Sequence, residues 1–361
     1  MSNEPQFATY VVGSLPRPRW VRDVIEARRD GRITAAEADW MLDSAVPSAI
    51  RMQERAGLTY VSDGEWRRES YIKVFCEHVD GFRLDAVPSV SRGVKEPAVV
   101  APMRQHSPIA ADAARFLVNA TGRKAIVAIP SPYILGWRTW HAEFSSKAYP
   151  TREDYMEACV LILRDEMRAL AGAGVGHIQI DEPWLLMLVD SEHRRRIGAG
   201  SLDSEIKSCV RMVNAIADAA DGVPTSLHLC HAHFNRQRFS DGGYEAIIDA
   251  LGEIKVDRLA MEFAAPQSHG VGVLARFPKD KVLGLGVIDH CDLEVESPEK
   301  VVARVEAALK HVPPERVTLN PDCGFSPSTQ NPMNFDEAYL KLASMCRAAE
   351  ILRSRHGSTV S

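Results

Sequence analysis

Short runs of apolar and β-branched residues recur along the chain. Each is closed by Gly, Pro or a charged residue, and a stretch with helical spacing follows. Eight such runs stand out: Thr9–Val12, Leu58–Ser62, Lys124–Ile129, His177–Ile180, Thr225–Leu229, Arg258–Phe263, Lys281–Val287 and Arg316–Asn320. Strands alternating with helices predict a parallel α/β sheet. Eight units predict closure into a (β/α)8 TIM barrel. The intervening helices are well marked. Met156, Val160, Leu163, Met167 and Leu170 follow Thr151 at the three-to-four spacing of one buried stripe. Ser297-Pro298 reads as an N-cap with Pro at the first helical position, ahead of Val301, Val305, Ala308 and Val312. Ile206, Val210, Val213 and Ala217 repeat the pattern after Ser204.

One stretch breaks the rhythm. Residues 64–122 are too long for a single helix and hold a strand-like piece, Pro97–Pro102, among Pro/Ser/Arg loops. This predicts an insertion after the second strand, a hairpin or lid over the barrel mouth. A contact between copies in a homo-oligomer is the alternative use. Without an internal repeat or a low-complexity linker, residues 1–361 read as a single domain.

Composition narrows the class. Apolar residues make up 45% of the 361 and charged residues 25%, the balance of a globular protein with a large core. A net charge of −5 disfavours a nucleic-acid partner. With no run of about 18 apolar residues, no membrane helix is expected. Met1–Tyr10 has neither a basic n-region nor an apolar h-region, so no secretory leader is expected. Seven dispersed cysteines then point to a reducing cytoplasm and free thiols. Cys159, Cys209 and Cys346 lie in helical stretches and read as core residues.

Barrel enzymes build their sites at the C-terminal ends of the strands. Here those ends carry Gly13-Ser14, Asp63-Gly64-Glu65, Pro130-Ser131, Asp181-Glu182-Pro183, His228-Leu229-Cys230, Glu262, Asp289-His290 and Asn320-Pro321-Asp322-Cys323. His228 and Cys230 are two apart, so an extended strand puts them on one face. With Cys323 and Glu262 they make a set of one imidazole, two thiolates and one carboxylate, which suits Zn2+ better than magnesium or calcium. The plain alternative is a core thiol and a hydrogen-bonded strand histidine. His231 and His233 fall past the strand end, where they either meet solvent or compete for the ion. Two thiolates make the ion a poor Lewis acid for splitting water but a good holder of a third thiolate. This favours thiol alkylation over hydrolysis.

The ordered motifs Gly13-Ser14-Leu15-Pro16-Arg17, Asp63-Gly64-Glu65, Ile178-Gln179-Ile180-Asp181-Glu182-Pro183, His228-Leu229-Cys230 and Asn320-Pro321-Asp322-Cys323-Gly324 resemble the catalytic domain of the cobalamin-independent methionine synthase family. The resemblance runs from Thr9 to about Arg353. It implies a zinc-dependent methyltransferase that moves a methyl group from methyltetrahydrofolate, or another methyl donor, to homocysteine. It implies zinc ligands His228, Cys230, Glu262 and Cys323, and amino-acid contacts Ser14, Glu65 and Asp181. The family's acid histidine lies two residues beyond an Asp. Here the order Asp289-His290-Cys291 offers His290 one residue early. Trp137 is the residue placed to face a pterin.

Some features depart from the pattern. Long members carry a second, N-terminal barrel, and this sequence is similar to the short relatives. Trp184 follows the Asp-Glu-Pro motif where the synthases have a small residue. Related barrels alkylate other thiols, such as coenzyme M opening an epoxide, and a sulfonate thiol would want Arg17, Arg67 or Arg68. A catalytically silent zinc-binding barrel is a further alternative. A metal-dependent aldolase would favour histidine-rich ligation over two cysteines.

Overall fold

The computed structural model describes residues 4–91, 93–238, 242–265, 270–326 and 333–357. Among these, the strands are β1 (Tyr60–Val61), β2 (Val79–Ala86), β3 (Glu96–Gln105), β4 (Lys124–Pro130), β5 (His177–Asp181), β6 (Thr225–Leu229), β7 (His233–Phe234), β8 (Gln237–Arg238), β9 (Arg258–Met261), β10 (Val282–Ile288) and β11 (Val317–Pro321). Seven of them form one parallel sheet in the order β1-β4-β5-β6-β9-β10-β11, so spatial order follows chain order. The sheet curls, and the backbone around Thr9 reaches both of its edges. Tyr10 N donates to Leu319 O (3.2 Å) and Leu319 N to Ala8 O (2.9 Å), while Thr59 N and Tyr60 N both donate to Thr9 O (3.0 Å).

The expected strand Thr9–Val12 is thus a single bridge. Side chains explain the loss. Thr9 N donates to Thr59 Oγ1 (3.1 Å), so a hydroxyl replaces its ladder partner, and Thr59 N is shared between Thr9 O and Thr9 Oγ1. Gly13 N then turns back to Val11 O. The second expected strand shrinks at its end because Ser62 N donates to Gln53 Oε1 (2.9 Å).

Helices bury one face against the sheet. Thr151 and Asp154 form a reciprocal capping box ahead of Arg152–Gly172, and Ser297 caps Pro298–Ala308 with Pro at its first position. Caps of this kind contribute about 1 kcal/mol each. The helix predicted after Ser204 begins earlier, at Leu202, because Ser201 accepts from Ser204 N. Cys159, Cys209 and Cys346 are buried helical residues as expected, and all seven cysteines are free. The main apolar core takes Val11, Val61 and Val127, whereas Tyr10, Tyr60 and Ile126 belong to a separate cluster. That alternation puts the second cluster on the opposite face of the sheet.

Between β1 and β4 the chain forms the helix Lys73–His78, the antiparallel hairpin β2–β3 and the helix Ala111–Ala120. The predicted strand piece Pro97–Pro102 lies inside β3. The hairpin is tied down by Ser145 Oγ donating to Val99 O (2.7 Å) and by Met103 N donating to Tyr149 Oη (2.8 Å). No helix among the described residues is long and apolar enough to cross a membrane.

Candidate metal centre

Parallel register gathers the polar strand ends at one end of the sheet. Asp181 pairs with His228, and Leu229 with Met261, so β5, β6 and β9 finish side by side. Ile288 pairs with Pro321, which brings the segment after β10 next to Asp322 and Cys323. Ser14, Glu65, Trp137, Asp181, His228, Cys230, Glu262, Asp289, His290 and Cys323 are all buried.

The centre is built around His228, Cys230 and Cys323, whose ligand atoms lie within 4.8 Å of one another. The two sulfurs are 3.6 Å apart, close to the edge of about 3.8 Å of a tetrahedron with metal–sulfur bonds of about 2.3 Å. His228 Nδ1 donates to Asp181 Oδ1 (3.1 Å), and Gln179 Nε2 donates to the same oxygen (2.8 Å). His228 Nε2 is buried and has no hydrogen-bond partner. An imidazole with one nitrogen fixed by a carboxylate and the other free is the usual form of a metal-ligating histidine. The residues fit a zinc ion on that observation.

Protons are shared unevenly in this cluster. Burial opposes ionisation of Cys230, but the Cys323 thiol and His228 outweigh it and lower its pKa well below the usual thiol value. Hydrogen bonding to Cys230, and then burial, raise that of Cys323. Burial opposes charge on His228, yet Cys230 and Asp181 push it up to about 10.

Glu262 is fully buried, and one of its oxygens lies in a second cluster beside His233 and Cys323. His233 Nε2 donates to Oε1 (2.5 Å), and His231 Nδ1 donates to Oε2. Burial pushes its carboxyl up, but His233 and His231 prevail and hold it well below the ordinary range. His231 and His233 therefore do not meet solvent past the strand end; both are buried against Glu262. A third cluster joins His233, His290 and Cys291. Cys291 Sγ lies 3.3 Å from His233 Nδ1 and 3.6 Å from His290 Nε2.

The other predicted residues divide. Ser14 Oγ accepts from Ser326 N (3.1 Å), next to the Cys323-Gly324 turn. Glu65 approaches Arg68 Nη1 (3.6 Å), and burial pushes its carboxyl up to about 7 against the pull of Arg68. His290 reaches the centre through His233, with ring centroids 4.1 Å apart. Its Nδ1 is buried and unpartnered, and burial lowers its pKa well below the ordinary histidine value. Asp289 instead shapes the turn: its Oδ1 accepts from Cys291 N (2.8 Å) and Asp292 N (3.3 Å). Trp137 carries the Arg152 guanidinium 3.6 Å over its ring and stacks on Trp184 at 6.2 Å and 25°.

Two residues inside the quoted motifs carry supporting roles that the motifs themselves do not assign. Asp322 accepts from Phe263 N (3.0 Å), Ala264 N (2.9 Å) and Ala265 N (2.8 Å), so it fixes the backbone that follows Glu262. A Cβ on Gly286 would collide with Asp322 Oδ1 and Met261 O, which accounts for glycine there. Gln179 shares Asp181 with His228. Its place two residues before Asp181, on the same strand face, was the available signal.

A family comparison decides what this centre belongs to. Residues 7–351 match the family model described as the catalytic domain of cobalamin-independent synthase. The chain belongs to the cobalamin-independent methionine synthase family. Among the relatives of this family member is the methionine synthase of Saccharolobus solfataricus, 28% identical over 98% of this chain and 97% of that protein. The methionine synthase of Pyrococcus horikoshii is 27% identical, over 97% and 94%. The fold is similar to that of a B12-independent methionine synthase from Shewanella sp. W3-18-1, solved in complex with selenomethionine. That comparison gives a TM-score of 0.78 at 22% identity and covers 97% of this chain and 98% of the other. A putative family member from Listeria monocytogenes gives a TM-score of 0.71 at 20% identity, covering 98% and 99%.

Proposed function

We propose that this family member is a zinc-dependent methyltransferase that carries a methyl group from methyltetrahydrofolate or another donor to homocysteine. The observation that carries the reading is the free Nε2 of His228 beside the Cys230–Cys323 sulfur pair. His228, Cys230, Cys323 and Glu262 would hold the zinc. When bound, the ion lowers the proton affinity of an entering thiol and keeps its sulfur nucleophilic. We also read the curled sheet as a closed (β/α)8 barrel in one domain, with residues 64–122 inserted near the mouth.

The chain's own residues do the rest. Asp181 fixes the ring of His228 and offers negative charge to the acceptor's ammonium group, together with Glu65. Ser14 lines the same pocket next to Cys323. The acceptor sulfur supplies the electron pair of the new S–C bond. The donor's bond to the methyl carbon breaks with its pair going to the donor, which then takes up a proton. His290 is assigned to that proton. A neutral imidazole still has one N–H, and Nδ1 is the nitrogen free to offer it. Asp289 holds the turn that presents it. Trp137 and Trp184 form a wall of the mouth rather than an open platform, since each ring faces the other.

The arginines proposed for a sulfonate thiol are engaged elsewhere. Arg17 donates to Ser326 O (2.9 Å) and Glu65 O (2.7 Å), Arg68 to Ala128 O (2.8 Å), and Arg67 to Asp43 Oδ1 (2.6 Å). This supports an amino-acid thiol. The test is turnover of zinc-loaded protein with homocysteine and methyltetrahydrofolate, or with methylcobalamin as a second donor, read as methionine by mass spectrometry. Methionine with either donor supports the reading. Methylation of coenzyme M but not homocysteine overturns the acceptor, and no product with any pairing overturns the reaction.

A further inference from the structure

A second set of metal-ligating side chains lies beside the first. His233, His290 and Cys291 offer ligand atoms within 4.8 Å of one another. Cys291 Sγ is 3.3 Å from His233 Nδ1 and 3.6 Å from His290 Nε2. A tetrahedral ion with bonds of about 2.3 Å to sulfur and about 2.0 Å to nitrogen has sulfur–nitrogen edges of about 3.6 Å. The three side chains already stand near that spacing. The two rings meet edge to face, with centroids 4.1 Å apart and planes at 82°, so a nitrogen of each can converge on one sulfur.

Each donor is held from behind. His233 Nε2 donates to Glu262 Oε1 (2.5 Å), which leaves Nδ1 for the site. This repeats the pairing of His228 with Asp181 in the other centre, where a carboxylate fixes one ring nitrogen and aims the other. The turn that carries His290 and Cys291 is fixed through its backbone. Asp289 Oδ1 accepts from Cys291 N (2.8 Å), and Arg236 Nη1 donates to His290 O (3.2 Å). The buried Lys341 donates through Nζ to Asp289 O (2.9 Å), and Asp289 N donates to Glu296 Oε1 (2.8 Å). Donors placed in advance lose little freedom when a ligand arrives. His233 and His290 are buried, whereas Cys291 is half-buried and gives an ion its way in.

We propose that His233, His290 and Cys291 form a second metal site, for a borderline divalent cation such as zinc, joined to the first centre through Glu262. Two imidazoles and one thiolate suit that ion, and three protein ligands leave its fourth position open. The Cys291 proton leaves to solvent as the metal–sulfur bond forms. With one thiolate in place of two and three protein donors in place of the four assigned above, this site is the weaker and fills second. An ion on His290 Nε2 leaves the ring's proton on Nδ1, the nitrogen assigned above to the departing donor. Only that consequence rests on the proposed function; the site itself stands on the three side chains.

The test titrates full-length protein holding one zinc with Co2+. It is followed by the thiolate-to-cobalt charge-transfer absorption and by metal analysis after gel filtration. Wild type should take up one cobalt beside its zinc and gain the absorption. Cys291→Ser should keep the zinc, lose the absorption and bind cobalt at least about a hundredfold more weakly, since a ligand counts for more than an outer-shell partner. Cys291→Ala should behave the same way. No second ion in wild type, cobalt that displaces the zinc one for one, or absorption that survives in both variants overturns the proposal and leaves the first centre standing. Loss of the zinc in both variants also overturns it, because Cys291 then belongs to the first centre. If wild type holds no zinc before cobalt is added, the metal-centre reading fails instead. The second site is then read in cobalt-only protein, where Cys291→Ser must still remove the absorption for the proposal to stand.

Discussion

His228 donates through Nδ1 to Asp181 Oδ1 at 3.1 Å, and this one contact aims the opposite nitrogen at the Cys230–Cys323 pair. The family resemblance makes Asp181 a contact for the acceptor. The geometry gives it an earlier duty, since a carboxylate behind the imidazole fixes both its tautomer and its direction. Asp181→Ala should weaken zinc affinity by roughly ten- to a hundredfold. Competition against a chromophoric chelator measures it. Unchanged affinity would leave Asp181 only the acceptor role.

Zinc uptake should release protons. Cys323, whose pKa is raised, and His228, pushed up to about 10, carry protons at neutral pH, whereas the pKa of Cys230 is lowered. Ligands must shed their protons, so about two should leave per ion bound near pH 7.5. A weakly buffered titration with a pH indicator counts them. Release of none would mean that the ion does not use these groups.

Glu65 makes a prediction about stability. Its carboxyl is raised to about 7, chiefly by burial, from an unfolded value near 4.5. The folded state therefore binds the proton more tightly than the unfolded chain. The associated stability is complete below about pH 4.5 and is lost as pH rises through about 7. Glu65→Gln should thus melt higher than wild type at pH 8 and lose that advantage at pH 5. A difference of the opposite sign would show that its pairing with Arg68 outweighs burial.

Asp322 anchors three backbone amides, and its loss removes all three of these bonds. Asp322→Ala should cost about 2–4 kcal/mol in denaturant unfolding and lower metal affinity by freeing the segment after Glu262. A cost under about 0.5 kcal/mol, the range of an ordinary surface change, would contradict the anchoring role.

Much of this was legible in the chain. Alternation of strand runs and capped helices gave the parallel sheet, because Thr151 and Ser297 act locally and mark their helices without tertiary help. Strand-end position likewise singled out His228, Cys230 and Cys323, whose ligand atoms lie within 4.8 Å of one another. The first strand is reduced to a bridge because the Thr59 hydroxyl takes up the Thr9 amide that a ladder would have used. Nothing in the sequence places Arg152 over the ring of Trp137.

The central claim is that Cys230 and Cys323 hold a zinc ion that accepts a third sulfur. X-ray absorption at the zinc edge tests it most directly. Zinc-loaded protein should show two sulfur neighbours, contributed by those residues, and added homocysteine should raise the count to three. Cys323→Ser should lower it by one in both states. A sulfur count that does not change with homocysteine in fully zinc-loaded wild type would contradict the account.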